Sequence, residues 1–375
     1  MRLFLLGFLF AAAGAVAQPA APQAPSVIGK AWLVIDVTSG QVLAAERADE
    51  RFEPASLTKL MTAYLVFAAL KEAKLTAVQS VPVSEKAWRA PGSRMFIEMN
   101  RPVTVDELIR GMVVQSGNDA CVALAEAVAG SEEAFAQRMN REAQRLGMKS
   151  SRFVNASGLP DAQHYSTARD LAALAIALIR DFPELYAQYY SMREYRYNNI
   201  TQMNRNRLLW LDPGVDGVKT GYTEAAGYCL IASSRRGPRR MLSVLLGSTS
   251  EATRAQESQK LLNWGYLMFD SVKLYEKTQT VRAIEVYKGA AGEVKAGVAS
   301  DLYVTVPKGS AEKLKVELQS QQPLSAPIAA GQRLGTLRVA FDGKPVSEVP
   351  LIALEAVPAA GVFGRVWDTL RLWIK

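Results

Sequence analysis

The sequence predicts an α/β (α+β) fold, in which an antiparallel sheet with helices packed on it carries a helical lobe and precedes a small all-β domain. Three observations support this prediction. Strand patterns occupy 31–37 and 42–46, helical periodicity dominates from 56 to about 179, and strand patterns return between 216 and 248. Because strands from both ends flank the helical middle, we expect them to join in one sheet, with a groove between the sheet and the lobe.

The N-terminal residues have the pattern of a secretory signal peptide. A positively charged start precedes an apolar run over 3–10, and Ala15-Val16-Ala17 forms a cleavage site of the A-x-A type before Gln18. The predicted signal peptide is therefore 1–17, and the residues 18–27, rich in proline and alanine, predict an extended linker. We expect the protein to be exported.

The first globular domain is predicted to span 28–270. It opens with a hairpin, whose two strands flank the turn Thr38-Ser39-Gly40-Gln41. Apolar residues then recur at helical spacing. The predicted helices are 57–73, 105–114, 119–128, 131–146 and 168–180. The domain is completed by predicted strands at 216–220, 227–235 and 241–248 and by a helix at about 253–269.

The composition of the chain changes after Asp270. Short alternating segments, separated by glycine and proline, replace the longer periodic runs. These segments lie at 281–287, 302–307, 313–318 and 336–341. The pattern predicts a separate small β-sandwich domain over 271–357.

The last residues, 358–375, predict an amphipathic helix. Its apolar side chains, including Trp367 and Trp373, fall on one arc, and charged residues such as Arg365 and Arg371 occupy the opposite arc. About 14 residues rising 1.5 Å each extend roughly 21 Å, less than a hydrocarbon core of about 30 Å. We therefore expect this helix to lie in the membrane interface; the alternative is docking on its own domain.

Composition excludes several classes of protein. With 375 residues, 49% hydrophobic and 21% charged, the chain is not disordered, and its mean hydropathy of +0.01 excludes a polytopic membrane protein. His164 is the only histidine, so a triad built on histidine would have to use it, and a serine enzyme is expected to use lysine instead. The net charge of +8 favours an anionic surface, and export argues against nucleic acid.

The cysteines, Cys121 and Cys229, are too few to form a zinc cage with that histidine. One disulfide is conceivable in an exported protein. Cys121 lies in a helical pattern and Cys229 in a strand pattern, so we expect two free thiols that pack as small apolar groups.

Ser56 and Lys59 lie three residues apart at the start of the first predicted helix, so they share one face near its positive end. A serine hydroxyl can attack a carbonyl carbon while an adjacent amine accepts its proton. The amine has to be neutral, which requires burial or a nearby cation to lower its pKa. Alone, the S-x-x-K pattern is weak, because a capping serine beside a surface lysine is the simpler explanation.

Two further motifs follow in order. Ser116-Gly117-Asn118 lies between two predicted helices, and Lys219-Thr220-Gly221 lies at the end of a predicted strand. In this order and setting, S-x-x-K, S-x-N and K-T-G resemble the motifs of the serine penicillin-recognising enzymes. Within that group, the chain resembles the low-molecular-mass penicillin-binding proteins that are D-alanyl-D-alanine carboxypeptidases. The stretches that carry this narrower resemblance are 54–59, 115–121, 165–170 and 216–221.

This resemblance implies a serine peptidase that removes the terminal D-alanine from peptidoglycan stem pentapeptides. It also implies that penicillins and other β-lactams acylate the same serine, and that the enzyme needs no metal or cofactor. The implied location is the periplasmic face of the bacterial inner membrane, with peripheral attachment through the C-terminal helix.

The resemblance assigns catalytic roles by matching position. Ser56 would be the nucleophile that forms the acyl-enzyme, Lys59 its general base, and Ser116 the relay of a proton to the leaving amine. The backbone N–H groups of Ser56 and Tyr222 would form the oxyanion hole. Tyr222 stands where this family often has histidine, and a backbone contact is expected to survive that difference.

Other assignments concern substrate binding. Asn118 would hold a substrate amide, and Lys219 would attract the terminal carboxylate and help to lower the pKa of Lys59. The peptide would pair with the edge of the strand that carries Lys219, Thr220, Gly221 and Tyr222.

The resemblance extends to two arginines, and the single histidine has a structural explanation. Arg254 would grip the free carboxylate of the substrate. Arg205 matches a position near the groove, although a solvated arginine explains it equally well. His164 lies in a polar loop before a predicted helix cap, so we expect a structural histidine.

Three alternative functions share parts of this pattern. A β-lactamase would need a carboxylate that activates the deacylating water, and the chain has no E-x-x-L-N segment after Ser116-Gly117-Asn118. A DD-endopeptidase would use the same acylation steps, and Arg254 would discriminate against it. A non-catalytic envelope scaffold would have no need of a complete set of motifs.

Overall fold

The computed structural model describes residues 22–320 and 322–361. The predicted signal peptide at 1–17 and residues 362–375 of the predicted amphipathic helix lie outside the described residues. Within the described part of the chain, no helix combines the length and the apolar character needed to cross a membrane.

Strands from both ends of the N-terminal domain join in one sheet, as predicted. In chain order the strands of this domain are β1 (Ala31–Asp36), β2 (Gln41–Glu46), β3 (Ser80–Val81), β4 (Val103–Thr104), β5 (Glu194–Tyr197), β6 (Ile200–Met203), β7 (Val215–Thr223), β8 (Gly227–Arg236) and β9 (Arg239–Ser248). The main sheet is antiparallel, with the strand order β2-β1-β9-β8-β7, so β7 lies at one edge of it.

Helices form a lobe on one side of this sheet and a cover on the other. In chain order they are α1 (Lys59–Lys71), α2 (Glu85–Trp88), α3 (Val105–Arg110), α4 (Asn118–Ala129), α5 (Glu132–Arg145), α6 (Ala168–Asp181), α7 (Pro183–Tyr190), α8 (Leu208–Leu211) and α9 (Glu251–Met268). A 3-10 turn, Ala55–Thr58, precedes α1, and a π-helical turn, Gly111–Gln115, follows α3.

Strand β1, which lies between β2 and β9, is buried on both faces. Leu33 and Ile35 pack in the main core with side chains of the helical lobe. Trp32 and Val34 point the other way and pack with Leu261 of α9. Alternate residues of a strand face opposite sides of a sheet, so a sheet covered by helices on both faces needs a continuous apolar run such as this one.

The helix α1 carries no charged residue between Lys59 and Lys71, because α4, α5 and α6 pack around it. Its buried side chains include Leu60, Met61 and Phe67. A helix without a polar face belongs in the interior of a domain. The first residue of α1, Lys59, is therefore carried into the lobe together with the apolar residues that follow it.

Several short elements of this domain were not predicted, among them α7 and the hairpin β5–β6. α7 starts at Pro183, directly after α6, and the hairpin β5–β6 follows it. Each strand of the hairpin has four residues and is mostly exposed, so it lacks the apolar alternation that marks a half-buried strand. The helix predicted at 105–114 ends at Arg110 and continues as the π-helical turn.

The all-β C-terminal domain is confirmed. Its strands are β10 (Phe269–Tyr275), β11 (Arg282–Tyr287), β12 (Glu293–Gly297), β13 (Leu302–Pro307), β14 (Leu314–Ser320), β15 (Leu324–Ser325), β16 (Arg333–Phe341) and β17 (Lys344–Ala353). One sheet has the order β14-β16-β17-β12-β11-β15, and β10 pairs with β13. Inward side chains such as Val294, Leu351, Val304 and Val339 form its core.

A buried ion pair connects the two domains. Asp36, at the end of β1, is fully buried and accepts a hydrogen bond of 2.8 Å from Arg239 Nε and one of 2.9 Å from Thr305 Oγ1. Arg239 also donates to the Phe269 carbonyl oxygen, at 2.6 Å. The carboxylate and the guanidinium therefore link β1 and β9 of the first domain to β10 and β13 of the second.

Both cysteines are free and buried, as expected. Cys121 lies in α4 and Cys229 in β8. Burial raises the pKa of Cys121 to about 12 and that of Cys229 to about 11. The thiolate is the reactive form, so these thiols are protected from oxidation by the fold.

The substitution Asp36→Ala is expected to lower the free energy of unfolding by about 3–5 kcal/mol, because it leaves the Arg239 guanidinium buried without its carboxylate. Asp49→Ala is the matched control. The Asp49 side chain pairs with Arg169 while 72% exposed, and its loss should cost about 0.2–1 kcal/mol. Urea-induced unfolding, followed by tryptophan fluorescence, measures both. If Asp36→Ala and Asp49→Ala lower the free energy of unfolding equally, the stabilising role of the buried pair between Asp36 and Arg239 is wrong.

Candidate active site

A cavity of about 400 Å³ lies between the helical lobe and the edge strand β7. It brings together residues that the sequence spreads over nearly two hundred positions. The predicted site residues that line it are Ser56, Ser116, Asn118, Thr220, Gly221, Tyr222 and Arg254. Lys59 and Lys219 lie behind its wall, and are 1% and 4% exposed. All nine predicted residues are therefore at one place in the fold.

Ser56 lies in the 3-10 turn that leads into α1, and it lines the cavity. The same turn packs closely against the loop around Gly158. Ala55 has a left-handed backbone, with φ of 47°. A Cβ atom on Gly158 would lie 1.8 Å from the Ala55 carbonyl oxygen, and Gly158 itself has φ of +85°. Only glycine fits there, and the close contact holds the turn that carries Ser56.

The Lys59 amine is held at three points. Its Nζ lies 2.9 Å from Ser56 Oγ, 2.7 Å from Asn118 Oδ1 and 2.6 Å from the Ser157 carbonyl oxygen. The amide and carbonyl oxygens can only accept hydrogen bonds. In the neutral amine the two N–H groups are therefore directed to these oxygens, and the lone pair is directed to the Ser56 hydroxyl.

The pKa of Lys59 is lowered to about 8, mainly by burial, and the charge of Arg205 contributes to this shift. Burial also lowers the pKa of Lys219, with the Lys59 and Arg205 charges adding to the shift. Arg205 is thus one cation that lowers the pKa of Lys59, and the contribution expected from Lys219 stays a prediction.

The S-x-N motif spans the change from the π-helical turn to α4. Ser116 has a left-handed backbone, with φ of 65° and ψ of 34°. It is 2% exposed, and among the described residues its Oγ has no hydrogen-bond partner. Asn118 uses Oδ1 for Lys59 and one N–H of its Nδ2 for the Pro91 carbonyl oxygen, at 2.6 Å. The free Ser116 hydroxyl and the second amide N–H of Asn118 remain for a ligand.

Asp119 fixes the segment that forms the neighbouring wall. Its buried carboxylate accepts hydrogen bonds from the backbone N–H groups of Met95, Phe96 and Ile97, at 2.9, 2.8 and 3.3 Å. The Asn118 N–H donates to the Ser93 carbonyl oxygen, at 2.6 Å. These contacts tie the loop before the motif to the start of α4, and this loop contributes Gly92 and Ser93 to the cavity.

Strand β7 passes directly against the turn that carries Ser56. A Cβ atom on Gly221 would lie 3.1 Å from the Pro54 carbonyl oxygen and 3.3 Å from Ala55 Cβ, so a larger residue would push the strand away. Tyr222 follows and is 53% exposed, and its ring centroid lies 4.5 Å from that of Tyr228. The backbone of β7 is thus held within reach of Ser56.

Arg254, in the first turns of α9, is 3% exposed. Its guanidinium lies 5.8 Å from the centre of the Tyr228 ring and donates to the Arg205 carbonyl oxygen, at 3.3 Å. The nearest carboxylate is that of Glu251, at 3.9 Å. A buried guanidinium without a close carboxylate is suited to an anionic ligand. Arg205 is exposed and lines the same cavity, so it faces the groove rather than bulk solvent alone.

His164 is structural, as expected. It is 2% exposed, and its Nε2 lies 2.8 Å from the Thr58 hydroxyl oxygen. Its Nδ1 accepts from the Val154 N–H, at 3.4 Å. Burial lowers the pKa of His164 to about 4, so the ring is neutral at neutral pH. It supports the residue between the two reactive groups of the first motif without touching Ser56.

The loop around Ser157 is the functional segment that sequence reasoning missed. The Asn155 Oδ1 accepts from the N–H groups of Ser157, Gly158 and Leu159, at 3.2, 2.7 and 3.1 Å. This turn aims the Ser157 carbonyl oxygen at Lys59. Asparagine followed closely by glycine is a turn signal in the sequence, but it does not reveal the partner of the loop.

The arrangement is suited to acyl transfer. It offers a nucleophilic hydroxyl, a buried amine directed at that hydroxyl, a strand edge beside it and an under-paired guanidinium. Among the described residues, no group of three or more histidine, cysteine, aspartate or glutamate side chains is placed to hold a metal ion.

Family models match both domains. Residues 18–250 match the peptidase family S11, described as D-alanyl-D-alanine carboxypeptidase, and residues 269–359 match the C-terminal domain of penicillin-binding protein 5. The D-alanyl-D-alanine carboxypeptidase DacC of Escherichia coli strain K12 is 43% identical over 373 residues, covering 97% of this chain and 93% of the relative. DacA of Haemophilus influenzae is 39% identical, covering 94% and 91%.

Solved structures agree with these relatives. Penicillin-binding protein 5 of Haemophilus influenzae superposes with a TM-score of 0.86 at 39% identity, covering 90% of this chain and 99% of that one. Penicillin-binding protein D2 of Listeria monocytogenes, in its ampicillin-bound form, has a TM-score of 0.60 at 32% identity and covers 65% of this chain and 100% of that one. The first family model alone spans more than half of the residues. The chain belongs to the D-alanyl-D-alanine carboxypeptidase family.

Proposed function

We propose that the protein is a serine-type D-alanyl-D-alanine carboxypeptidase in which Ser56 removes the terminal D-alanine of peptidoglycan stem pentapeptides through an acyl-enzyme. The observation that carries this proposal is the set of contacts around Lys59. Two oxygens take up its N–H groups, and its lone pair is left for the Ser56 hydroxyl. Family membership supports the same reaction.

In the acylation step, the Ser56 hydroxyl proton passes to the neutral Lys59 amine while Oγ attacks the carbonyl carbon of the penultimate D-alanine. The backbone N–H groups of Ser56 and Tyr222 stabilise the tetrahedral oxyanion, and each such donor contributes about 2.7–4 kcal/mol in enzymes of this type. The C–N bond then breaks. The proton passes from Lys59 through the Ser116 hydroxyl to the leaving amine, which departs as free D-alanine.

Deacylation reverses the proton path with water in place of the amine. Lys59 takes a proton from a water molecule while the oxygen of that water attacks the ester carbonyl carbon. The ester C–O bond breaks, and Ser56 Oγ recovers a proton. The products are the shortened peptide with a free carboxylate and the regenerated hydroxyl.

Substrate binding uses the edge of β7 and the cations beside it. The peptide pairs with the strand segment that carries Thr220, Gly221 and Tyr222. Asn118 donates its second amide N–H to the peptide, and Lys219 adds positive charge to the groove. Arg254, buried and without a close carboxylate, binds the terminal carboxylate, which favours a carboxypeptidase over an endopeptidase.

A β-lactam places a reactive amide carbonyl and a carboxylate in the same cavity, and it acylates Ser56 by the first half of this reaction. The ampicillin-bound form of the similar protein from Listeria monocytogenes supports this part of the proposal.

The protein acts on the outer side of the bacterial inner membrane. The signal peptide at 1–17 exports it to the periplasm, and the amphipathic helix at 358–375 attaches it to the membrane surface. The support is the sequence pattern, in which apolar residues that include Trp367 and Trp373 fall on one arc of the helix and charged residues occupy the opposite arc.

Exposure to penicillin is expected to add one penicilloyl group to the tryptic peptide that contains Ser56, because this hydroxyl has the buried amine beside it. Mass spectrometry of the digested protein locates the adduct. In Ser56→Ala the adduct should be lost while the thermal unfolding midpoint stays within a few degrees of wild type. An adduct on Ser116 or Ser93 in the wild-type chain would contradict the assignment of the nucleophile.

The rate of acylation by penicillin is expected to rise about tenfold per pH unit below pH 8 and to level off above it. Only the neutral amine accepts the Ser56 proton, and burial lowers the pKa of Lys59 to about 8. Stopped-flow experiments at intervals of about half a pH unit, from about pH 5.5 to about pH 9.5, measure the second-order rate constant of acylation. The pH at which this constant reaches half of its plateau is the midpoint of the profile.

Arg205→Gln tests the cause of that midpoint. Removing a cation that lowers the pKa of Lys59 should move the acidic limb to higher pH. Arg207→Gln is the matched control, because Arg207 is an exposed arginine outside the lining of the cavity and should leave the limb in place. A limb that does not move in Arg205→Gln, or a rate that falls between pH 6 and 8, would refute this account.

A chain that ends at Gly361 is expected to leave the membrane fraction while it keeps its carboxypeptidase activity, because the truncation removes the amphipathic face and spares the cavity. Fractionation of cells and binding to anionic lipid vesicles measure the loss. A truncated chain that still sediments with membranes would place the attachment elsewhere.

A further inference from the structure

Basic side chains surround the candidate active site. Lys59, Lys219, Arg205 and Arg254 lie at or directly behind its wall. Among the described residues, Glu251 is the one carboxylate that lines the cavity. The acidic side chain needs an explanation, because the groove has to receive an anionic substrate. Two carboxylates in one cavity repel each other.

The position of Glu251 is defined by its distance from Arg254. The two residues lie one turn apart at the start of α9, and the Glu251 Oε1 lies 3.9 Å from an Arg254 guanidinium nitrogen. This distance permits an ion pair but exceeds a hydrogen bond. The Glu251 side chain is 57% exposed, whereas that of Arg254 is 3% exposed. The carboxylate is therefore largely open to solvent, whereas the guanidinium is buried.

Arg254 is held from behind. The Tyr228 ring lies on one side, and the Arg205 carbonyl oxygen accepts one of its N–H groups. The remaining N–H groups of this fork are the ones that a carboxylate in the cavity can reach. The Glu251 carboxylate lies nearest Nη2, the same nitrogen that donates to the Arg205 carbonyl oxygen, so a substrate carboxylate that binds the guanidinium has to compete with the Glu251 charge beside it.

We propose that Glu251 is a specificity-determining residue that competes with the terminal carboxylate of the substrate for Arg254. This inference rests on the proposed function, in which Arg254 binds that carboxylate. A ligand that binds through its carboxylate alone has to displace Glu251 from Arg254, so its net gain in binding free energy is small. A stem peptide also pairs with β7, so it displaces Glu251 and remains bound.

The same competition acts after acylation. The released D-alanine keeps its carboxylate but has lost its covalent link to the rest of the peptide. Glu251 returns to Arg254 and displaces this product, which clears the groove for the attacking water.

The test is Glu251→Gln, which removes the charge and keeps the shape. With diacetyl-L-lysyl-D-alanyl-D-alanine, KM should fall about threefold to tenfold, the range expected for an ion pair with one buried partner, with a smaller change in kcat. With the corresponding peptide that ends in a carboxamide, KM should not change. Added salt should narrow the difference between wild type and variant, because the Glu251 charge is exposed.

Two further variants complete the experiment. Glu224→Gln removes a charge from the exposed turn after β7, outside the lining of the cavity, and should leave KM for both peptides as in wild type. Arg254→Gln should abolish the preference for the carboxylate peptide over the carboxamide.

The outcomes separate the inference from the function on which it rests. If Arg254→Gln removes the preference but Glu251→Gln leaves KM unchanged, or changes KM equally for the two peptides, the competition is refuted and the carboxypeptidase assignment stands. If Arg254→Gln leaves the preference intact, the role of Arg254 in the proposed function fails first. A selective fall in KM for the carboxylate peptide supports the competition.

Discussion

The structure of the site depends on the burial of the Lys59 amine. Lys59 is 1% exposed in the first turn of an apolar helix, and removing an amine from water is unfavourable unless its hydrogen bonds are replaced. Three oxygens replace them, and they come from the turn before α1, from the start of α4 and from the loop after α5. Each of these segments has to be placed to within a few tenths of an ångström for the amine to be tolerated. The same placement makes the amine a base, because the oxygens leave its lone pair directed at Ser56.

The segments that meet at Lys59 are themselves held by side chains that satisfy several backbone groups at once. Asp119 collects the N–H groups of Met95, Phe96 and Ile97, and Asn155 does the same for the loop that presents the Ser157 carbonyl oxygen. Loops that line a site are usually the mobile parts of a fold, so such multiple acceptors serve to pre-organise them. The helical lobe thus holds in place the segments that contact Lys59.

Much of this arrangement follows from the sequence, and the exceptions have physical reasons. Ser56, Lys59, Ser116 and Lys219 were predicted because their side chains carry the chemistry and their spacing marks it. The Ser157 carbonyl oxygen was not predicted, since every residue has a carbonyl group and this one acts across 98 positions of chain. Glu251 was also missed. An acidic residue at the start of a helix already has an ordinary explanation in the helix dipole, so its position in the groove becomes visible only in three dimensions.

The periodicity of apolar residues predicted the sheet and the lobe. Burying one face of a helix or strand places its apolar residues at the spacing typical of that element. The hairpin β5–β6 and the helix α7 were not predicted, since exposed or short elements lack that periodicity. The residues 362–375 lie outside the described residues, and their helix stays a prediction.

The ion pair between Asp36 and Arg239 has a consequence for how the enzyme meets a layered polymer. The hydrogen bonds of this pair to Phe269 and Thr305 restrain bending at the junction, which favours a spacer with a restricted range of tilts over a free tether. If the far end of that spacer is attached to a surface, the mouth of the cleft is presented within a restricted range of heights and tilts. The catalytic groove then scans a thin plane of the wall parallel to that surface, and peptides above or below the plane escape it.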